Sequence, residues 1–179
     1  HGRQDKSTHP FTMNFHYSDV RITTRINKHN LMEIISGTLH EAGHGMYEQG
    51  LNQDGYGTPL GEAVSLGIHE SQSRFWENQI GLSRAFWKIQ WPYLKDYFPR
   101  ELDTWDLDAF YASVNHVKPG LIRVEADEVT YNLHVLIRFE IERDLFNGNL
   151  KVADLPEVWN QKYTDYLGVT PKTDSEGVL

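Results

Sequence analysis

The chain has no cysteine, so it can form neither a disulfide nor a thiolate metal site, and it suits a reducing compartment such as the cytoplasm. It has no block of Lys and Arg, and 25 acidic against 17 basic residues leave a formal net charge of −8. That balance argues against a nucleic-acid partner. No apolar run approaches membrane-spanning length and no signal-like segment opens the chain, so no membrane partner is expected. Internal repeats and low-complexity segments are also missing. What is present is aromatic: five Trp, nine Tyr and eight Phe within a 39% apolar composition, enough for a packed core. A length of 179 residues suits one compact domain. The chain starts at His1 and ends in the polar stretch "VTPKTDSEGVL". Both ends read as cut, so a piece of a larger protein is expected.

The opening "HGRQDKSTHPF" reads as loop. From Asp19 the period becomes two, with Val20, Ile22, Thr24 and Ile26 on one side and Asp19, Arg21, Thr23 and Arg25 on the other. This is the pattern of a strand with one apolar face, and it is the only strand the sequence predicts. Over residues 30–50 the period changes. Leu31, Ile34, Ile35, Leu39, Ala42 and Met46 recur at three- and four-residue steps before Gly50, which predicts a helix with a glycine stop. The turn-rich "NQDGYGTPLG" leads to a second helix from about Gly61 to Ile80 and a third from Ser83 to Tyr97, with Pro92 inside it. Asp106 caps "LDAFYASVNHV", residues 121–147 form the longest periodic segment, and Asp154 with Glu157 makes a capping box for a last helix closed by Gly168. The fold class is mainly α, with a small β element at about 19–26.

The stretch "LHEAGHGMYEQG" lies on the first helix. Residues four apart on a helix lie about 40° apart around the axis and roughly 6 Å along it, so His40 and His44 can converge on one ion. Glu41 sits beside them, placed to take a proton from water acidified by the metal. The pattern is HExxH. An incidental pair of histidines is the alternative, but these two lie off the main apolar stripe, and Gly43 and Gly45 cost helix propensity while permitting close backbone approach. Catalytic zinc takes three protein ligands and leaves a place for water. The extended metzincin motif is excluded, because Tyr47 and Gly50 stand where Gly and His are needed. The following helix offers Glu62, Glu70, Glu77 and His69. If it folds back on the first helix, Glu70 near its middle is best placed. Glu62 suits the helix start, Glu77 solvent, and His69 is the competing ligand.

These residues resemble the thermostable (Taq-type) carboxypeptidase family of zinc metallocarboxypeptidases. The family's ordered landmarks are HPF, DxRxT, HExxH, HES(G/Q)S, I(R/A)xxAD and GxxQDxHW. The first five stand here as His9-Pro10-Phe11, Asp19 to Thr23, His40 to His44, His69 to Ser73 and Ile122 to Asp127. The sixth does not appear before the chain stops at "DSEGVL". The resemblance implies a helical zinc-peptidase domain, with residues 1–179 a single catalytic-domain fragment of it. It implies zinc, or cobalt in its place, on His40, His44 and Glu70, with Glu41 as general base and acid. It also implies that Arg123 binds the free C-terminal carboxylate of a peptide substrate, and that the full-length protein is a homodimer. His9 and Arg21, within the first two landmarks, are further substrate-binding candidates, although His9 equally suits an ordered loop.

Two more readings come from spacing. The strand at 19–26 could form the edge of a cleft where a peptide adds as a further strand, or simply cap the core. Asp127, Tyr131, His134 and Arg138 follow 4-3-4 spacing and so share a helix face. That face suits a cleft wall where Tyr131 and His134 donate to an oxyanion, or an ordinary polar face with an Arg138–Glu142 pair. The function expected is hydrolysis of the C-terminal peptide bond by a zinc-activated water. A zinc oligopeptidase or endopeptidase and a non-catalytic zinc- or peptide-binding fragment are the alternatives.

Overall fold

Local signals in the sequence fix most of the helix boundaries. In the computed structural model, which describes residues 3–179, Asn30 stands in extended backbone and its side chain accepts from the Glu33 N–H, opening helix α1 (Leu31–Gln49). Ser65 does the same for Ile68 and opens α2 (Leu66–Arg74), so this helix begins five residues later than Gly61. The residues before it form two short 3₁₀ turns, Gln53–Gly55 and Pro59–Gly61. After Arg74 the helix does not stop but widens into a π turn, Phe75–Ile80. Ser83 caps α3 (Arg84–Tyr97), which runs through Pro92. Asp106 accepts from Ala109 at the start of α4 (Leu107–Val114).

The chain forms two compact units, one extending to Val114 and the other Asn115–Leu179. In the first, a three-stranded sheet packs on α1. Strand β3 (Asp19–Thr24) is central, paired in parallel with β1 (Gln4–Lys6) and antiparallel with β2 (Thr12–His16). The opening stretch read as loop therefore holds β1, and β2, which the sequence did not predict, follows it. Both are short, and β1 is exposed along its length, so pairing with β3 and not any pattern of its own defines it. The apolar side of β3 does face α1: Val20 and Ile22 lie under Gly45. The edge-strand reading of residues 19–26 is overturned, because β3 spends both hydrogen-bonding edges inside the sheet. A core of Trp87, Leu94 and Phe110 gathers Leu31, Met32 and Ile35 from α1, with the Trp87 and Phe110 rings edge to face at 4.7 Å.

The second unit is built on α5 (Glu128–Phe146) and α6 (Leu155–Leu167). Asp127 caps α5, accepting from Val129 N at 3.0 Å and Thr130 N at 2.9 Å. Asp154 makes no side-chain cap, because a 3₁₀ turn at Val152–Asp154 runs straight into α6, and the capping box does not form. Gly168 ends α6 at φ 68°, a left-handed backbone that glycine adopts without strain. Ile137, Ile141, Tyr163 and Leu167 form this unit's core. No helix among the described residues is long and apolar enough to cross a membrane.

Candidate metal centre

His40 and His44 stand one turn apart on α1, and α2 lies against that turn because Gly43 has no side chain. A Cβ at Gly43 would meet Ser73 Cα at 2.7 Å and Gln72 O at 2.8 Å. The close approach brings the Glu70 carboxylate to the two rings. Its Oε2 lies 3.3 Å from His44 Nε2 and 3.7 Å from His40 Nε2, and the three ligand atoms all fall within 4.8 Å of one another. Zinc bonds of about 2.0–2.2 Å in a tetrahedron put neighbouring donors about 3.3–3.5 Å apart. Two imidazole nitrogens and one carboxylate oxygen at this spacing fit such an ion. Among the described residues no other group of three potential ligands meets the same limit.

Electrostatics follow from this packing. The Glu70 carboxyl is held down at about 2, first by its hydrogen bond with His44, against burial, and then by the His40 and His44 charges and Ser73. Burial pulls His40 down, but the Glu77 hydrogen bond and the charges of Glu77, Glu70 and Glu41 outweigh it and leave its pKa raised. Glu41 is buried, and the Thr12 hydroxyl from β2 lies 2.7 Å from its Oε2 and 2.9 Å from its carbonyl oxygen.

Glu77 is not a solvent-facing residue. The π turn aims it inward, where Oε2 accepts from His40 Nδ1 at 2.8 Å and from Arg74 at 2.6 Å. His69 sits behind His44, outside the His40–His44–Glu70 cluster, with the two Nδ1 atoms 2.7 Å apart, and its Nε2 reaches Glu48 Oε1 at 2.6 Å. Glu62 precedes α2 and is exposed. Glu48 and Thr12 were missed in the sequence. Glu48 continues the 40-44-48 spacing on one face of α1, a signal that was available, whereas Thr12 carries none.

Of the first two landmarks, His9 is exposed and its Nδ1 donates to the Pro10 carbonyl at 2.5 Å, a loop-ordering contact. Arg21 pairs with Asp19 at 2.9 and 2.8 Å and lies over the Phe15 ring. In the second unit Arg123 donates to the Tyr131 hydroxyl at 2.6 Å, not to Glu125 or Asp127. His134 does not line a wall. It is fully buried, and its Nδ1 lies 3.1 Å from the Tyr163 hydroxyl, to which Arg138 also donates at 3.0 Å. The 4-3-4 face thus splits: Asp127 caps, Tyr131 meets Arg123, and His134 with Arg138 turns into the core.

The family model for Carboxypeptidase Taq (M32) metallopeptidase matches residues 1–179. The chain belongs to the Taq carboxypeptidase family. It is 53% identical over 178 residues to a Thermus thermophilus protein named thermostable carboxypeptidase 1, covering 99% of this chain and 35% of that protein. To carboxypeptidase 1 of Bacillus subtilis it is 47% identical, with 99% and 36% covered. An M32 carboxypeptidase structure from Deinococcus radiodurans superposes with a TM-score of 0.95 at 48% identity, over 98% of this chain and 35% of that one. The chain therefore spans about a third of the length of the relatives it matches. Membership of this metallopeptidase family implies a metal cofactor, and the His40–His44–Glu70 cluster is a possible site for it.

Proposed function

We propose that the protein to which this chain belongs is a zinc metallocarboxypeptidase and that His40, His44 and Glu70 hold its ion. The observation that carries the reading is the convergence of two Nε2 atoms and one carboxylate oxygen from successive helices, in a chain of a metallocarboxypeptidase family. Two imidazoles and a carboxylate form a donor set that catalytic zinc takes, with cobalt the alternative ion. When bound, the ion supplies Lewis acidity to a peptide carbonyl and to water. Glu41 accepts the proton of the attacking water on its carboxylate and hands it to the departing amine. Thr12 holds that carboxylate with its hydroxyl. Arg123 binds the substrate's terminal carboxylate, a task for which a planar guanidinium is suited, and Tyr131 steadies it through the 2.6 Å contact. Residues 1–179 are proposed as a single catalytic-domain fragment. A homodimer for the longer protein and a cytoplasmic location belong to the same proposal.

The test combines zinc stoichiometry with hydrolysis of matched peptides carrying a free or an amidated C-terminus, on this chain and on the longer protein. One zinc per chain and selective cleavage of free acids are expected, with Glu41→Gln keeping zinc and losing hydrolysis. Equal cleavage of amides would replace the reading with an oligopeptidase or endopeptidase. Bound zinc without turnover in either protein would leave a binding module only.

A further inference from the structure

Each of the two metal-facing imidazoles has its far nitrogen engaged, but by different means. His40 Nδ1 meets the Glu77 carboxylate directly. His44 Nδ1 meets another imidazole, His69, whose own far nitrogen meets Glu48. Glu48 is buried, 8% exposed, four residues along α1 from His44, and its second oxygen accepts from Asn14 of β2. With zinc on His44 Nε2, the direction of every proton in this relay follows from its two ends. A carboxylate oxygen accepts and cannot donate, so Glu48 requires the proton of His69 on Nε2. A neutral imidazole protonated there has only a lone pair on Nδ1. The 2.7 Å contact between the two Nδ1 atoms then needs a proton from His44 Nδ1. Zinc on His44 Nε2, the atom that faces Glu70 and donates to it in the metal-free chain, leaves Nδ1 as the seat of the one remaining ring proton.

We infer that Glu48, acting through His69, is a positioning residue that fixes the His44 tautomer and ring orientation, so that the metal affinity of the site depends on a carboxylate two hydrogen bonds behind the ligand. The inference rests on the metal-centre reading for its consequence but not for its geometry. Outer partners of this kind affect metal affinity about 10–100-fold where they act directly. Here the effect passes through an imidazole that is itself adjacent in sequence to the ligand Glu70. The His69-Glu70 pair thereby has two duties on one turn of α2, with one side chain ligating and its neighbour orienting the opposite ligand. Asn14 ties the sheet into the same chain, so β2 is anchored to the metal centre at two points, Thr12 on Glu41 and Asn14 on Glu48.

Two measurements test this independently. Long-range hydrogen–nitrogen correlation spectra of the zinc-loaded chain at about pH 8, where free imidazoles are neutral, read the tautomers directly. His44 protonated on Nδ1 and His69 on Nε2 are expected, and His44 protonated on Nε2 overturns the inference. Zinc affinity by chelator competition supplies the second. Glu48→Ala and His69→Phe should each weaken zinc about 10–100-fold, while Glu48→Gln, which keeps an oxygen facing His69, stays within about threefold of the parent. Affinities for both disruptive variants within about twofold of the parent, with unchanged circular dichroism, overturn it as well. If either variant fails to fold, the spectrum of the parent chain still decides. Failure of the parent to bind zinc would sink the metal-centre reading and the inference with it, whereas zinc binding with His44 protonated on Nε2 sinks the inference alone.

Discussion

Gly43→Ala is the substitution that the packing of α1 against α2 makes most informative. On an isolated helix the change would stabilise by about 1 kcal/mol, since glycine is the poorer helix former. Here the new Cβ would sit 2.7 Å from Ser73 Cα and 2.8 Å from Gln72 O, both backbone atoms. Relief to ordinary contact at about 3.4 Å or more needs the helices to part by roughly 0.7 Å at that point, and overpacking of this kind costs about 1–3 kcal/mol. The net effect on stability is then a loss of roughly 0–2 kcal/mol. Zinc should suffer more than the fold, because Ser73 is one turn beyond Glu70 on the same helix and tolerances at a metal site are about 0.2 Å. Gly45→Ala is the matched control. Its Cβ would meet Val20 and Ile22 side chains at 3.5 and 3.7 Å, ordinary contact, so that variant should be neutral or more stable by up to about 1 kcal/mol. Thermal melts and chelator-competition titrations on the three chains decide the matter. Parent-like zinc binding in Gly43→Ala, or a loss confined to Gly45→Ala, would refute the claim that helix proximity sets the ligand geometry.

Asp127→Ala should cost about 1–2 kcal/mol in denaturant melts, the usual cost of losing a helix N-cap. Burial opposes ionisation of Asp127, but bonds from Thr130, Lys118 and Val129 outweigh it and lower its pKa. Its contribution is therefore present above the unfolded carboxyl range and fades as pH drops through the lowered value, so the gap between parent and variant should close on acidification. Tyr163→Phe removes the hydroxyl shared by His134 Nδ1 and Arg138, and a buried nitrogen left without a partner predicts a loss of about 1–3 kcal/mol. Burial, then Arg138 and Arg123, depress the pKa of His134, so its share of stability is complete above about pH 6.5 and declines as pH falls. Melting temperatures from neutral to mildly acidic pH should fall less steeply in His134→Leu than in the parent.

The sequence showed the His40–His44–Glu70 cluster more clearly than its surroundings. His40 and His44 are related by helix geometry alone, and Glu70 follows once a turn folds one helix onto the next. Both relations are local. Glu77 was misread because its direction depends on a π turn, and no residue pattern in "FWENQI" separates that from a continuing α-helix. His134 was misplaced because spacing tells which residues share a face but not which way the face points; Ile137 and Ile141, three and seven positions on, carried the apolar signal that turns it inward. The sheet was a third seen. β3 alternates, whereas β1 and β2 exist because β3 is there to pair with them.

The widened turn at Phe75–Ile80 also separates two halves of one chemical task. Glu70 lies upstream of it and Glu77 within it. Deleting one residue between them would restore ordinary helical phase and swing Glu77 by about 100° around the axis, away from His40, without touching Glu70. The proposed ligand and the support of its partner His40 are thus encoded on either side of a single-residue insertion, and a length change there is expected to weaken metal binding while leaving His40, His44 and Glu70 in place.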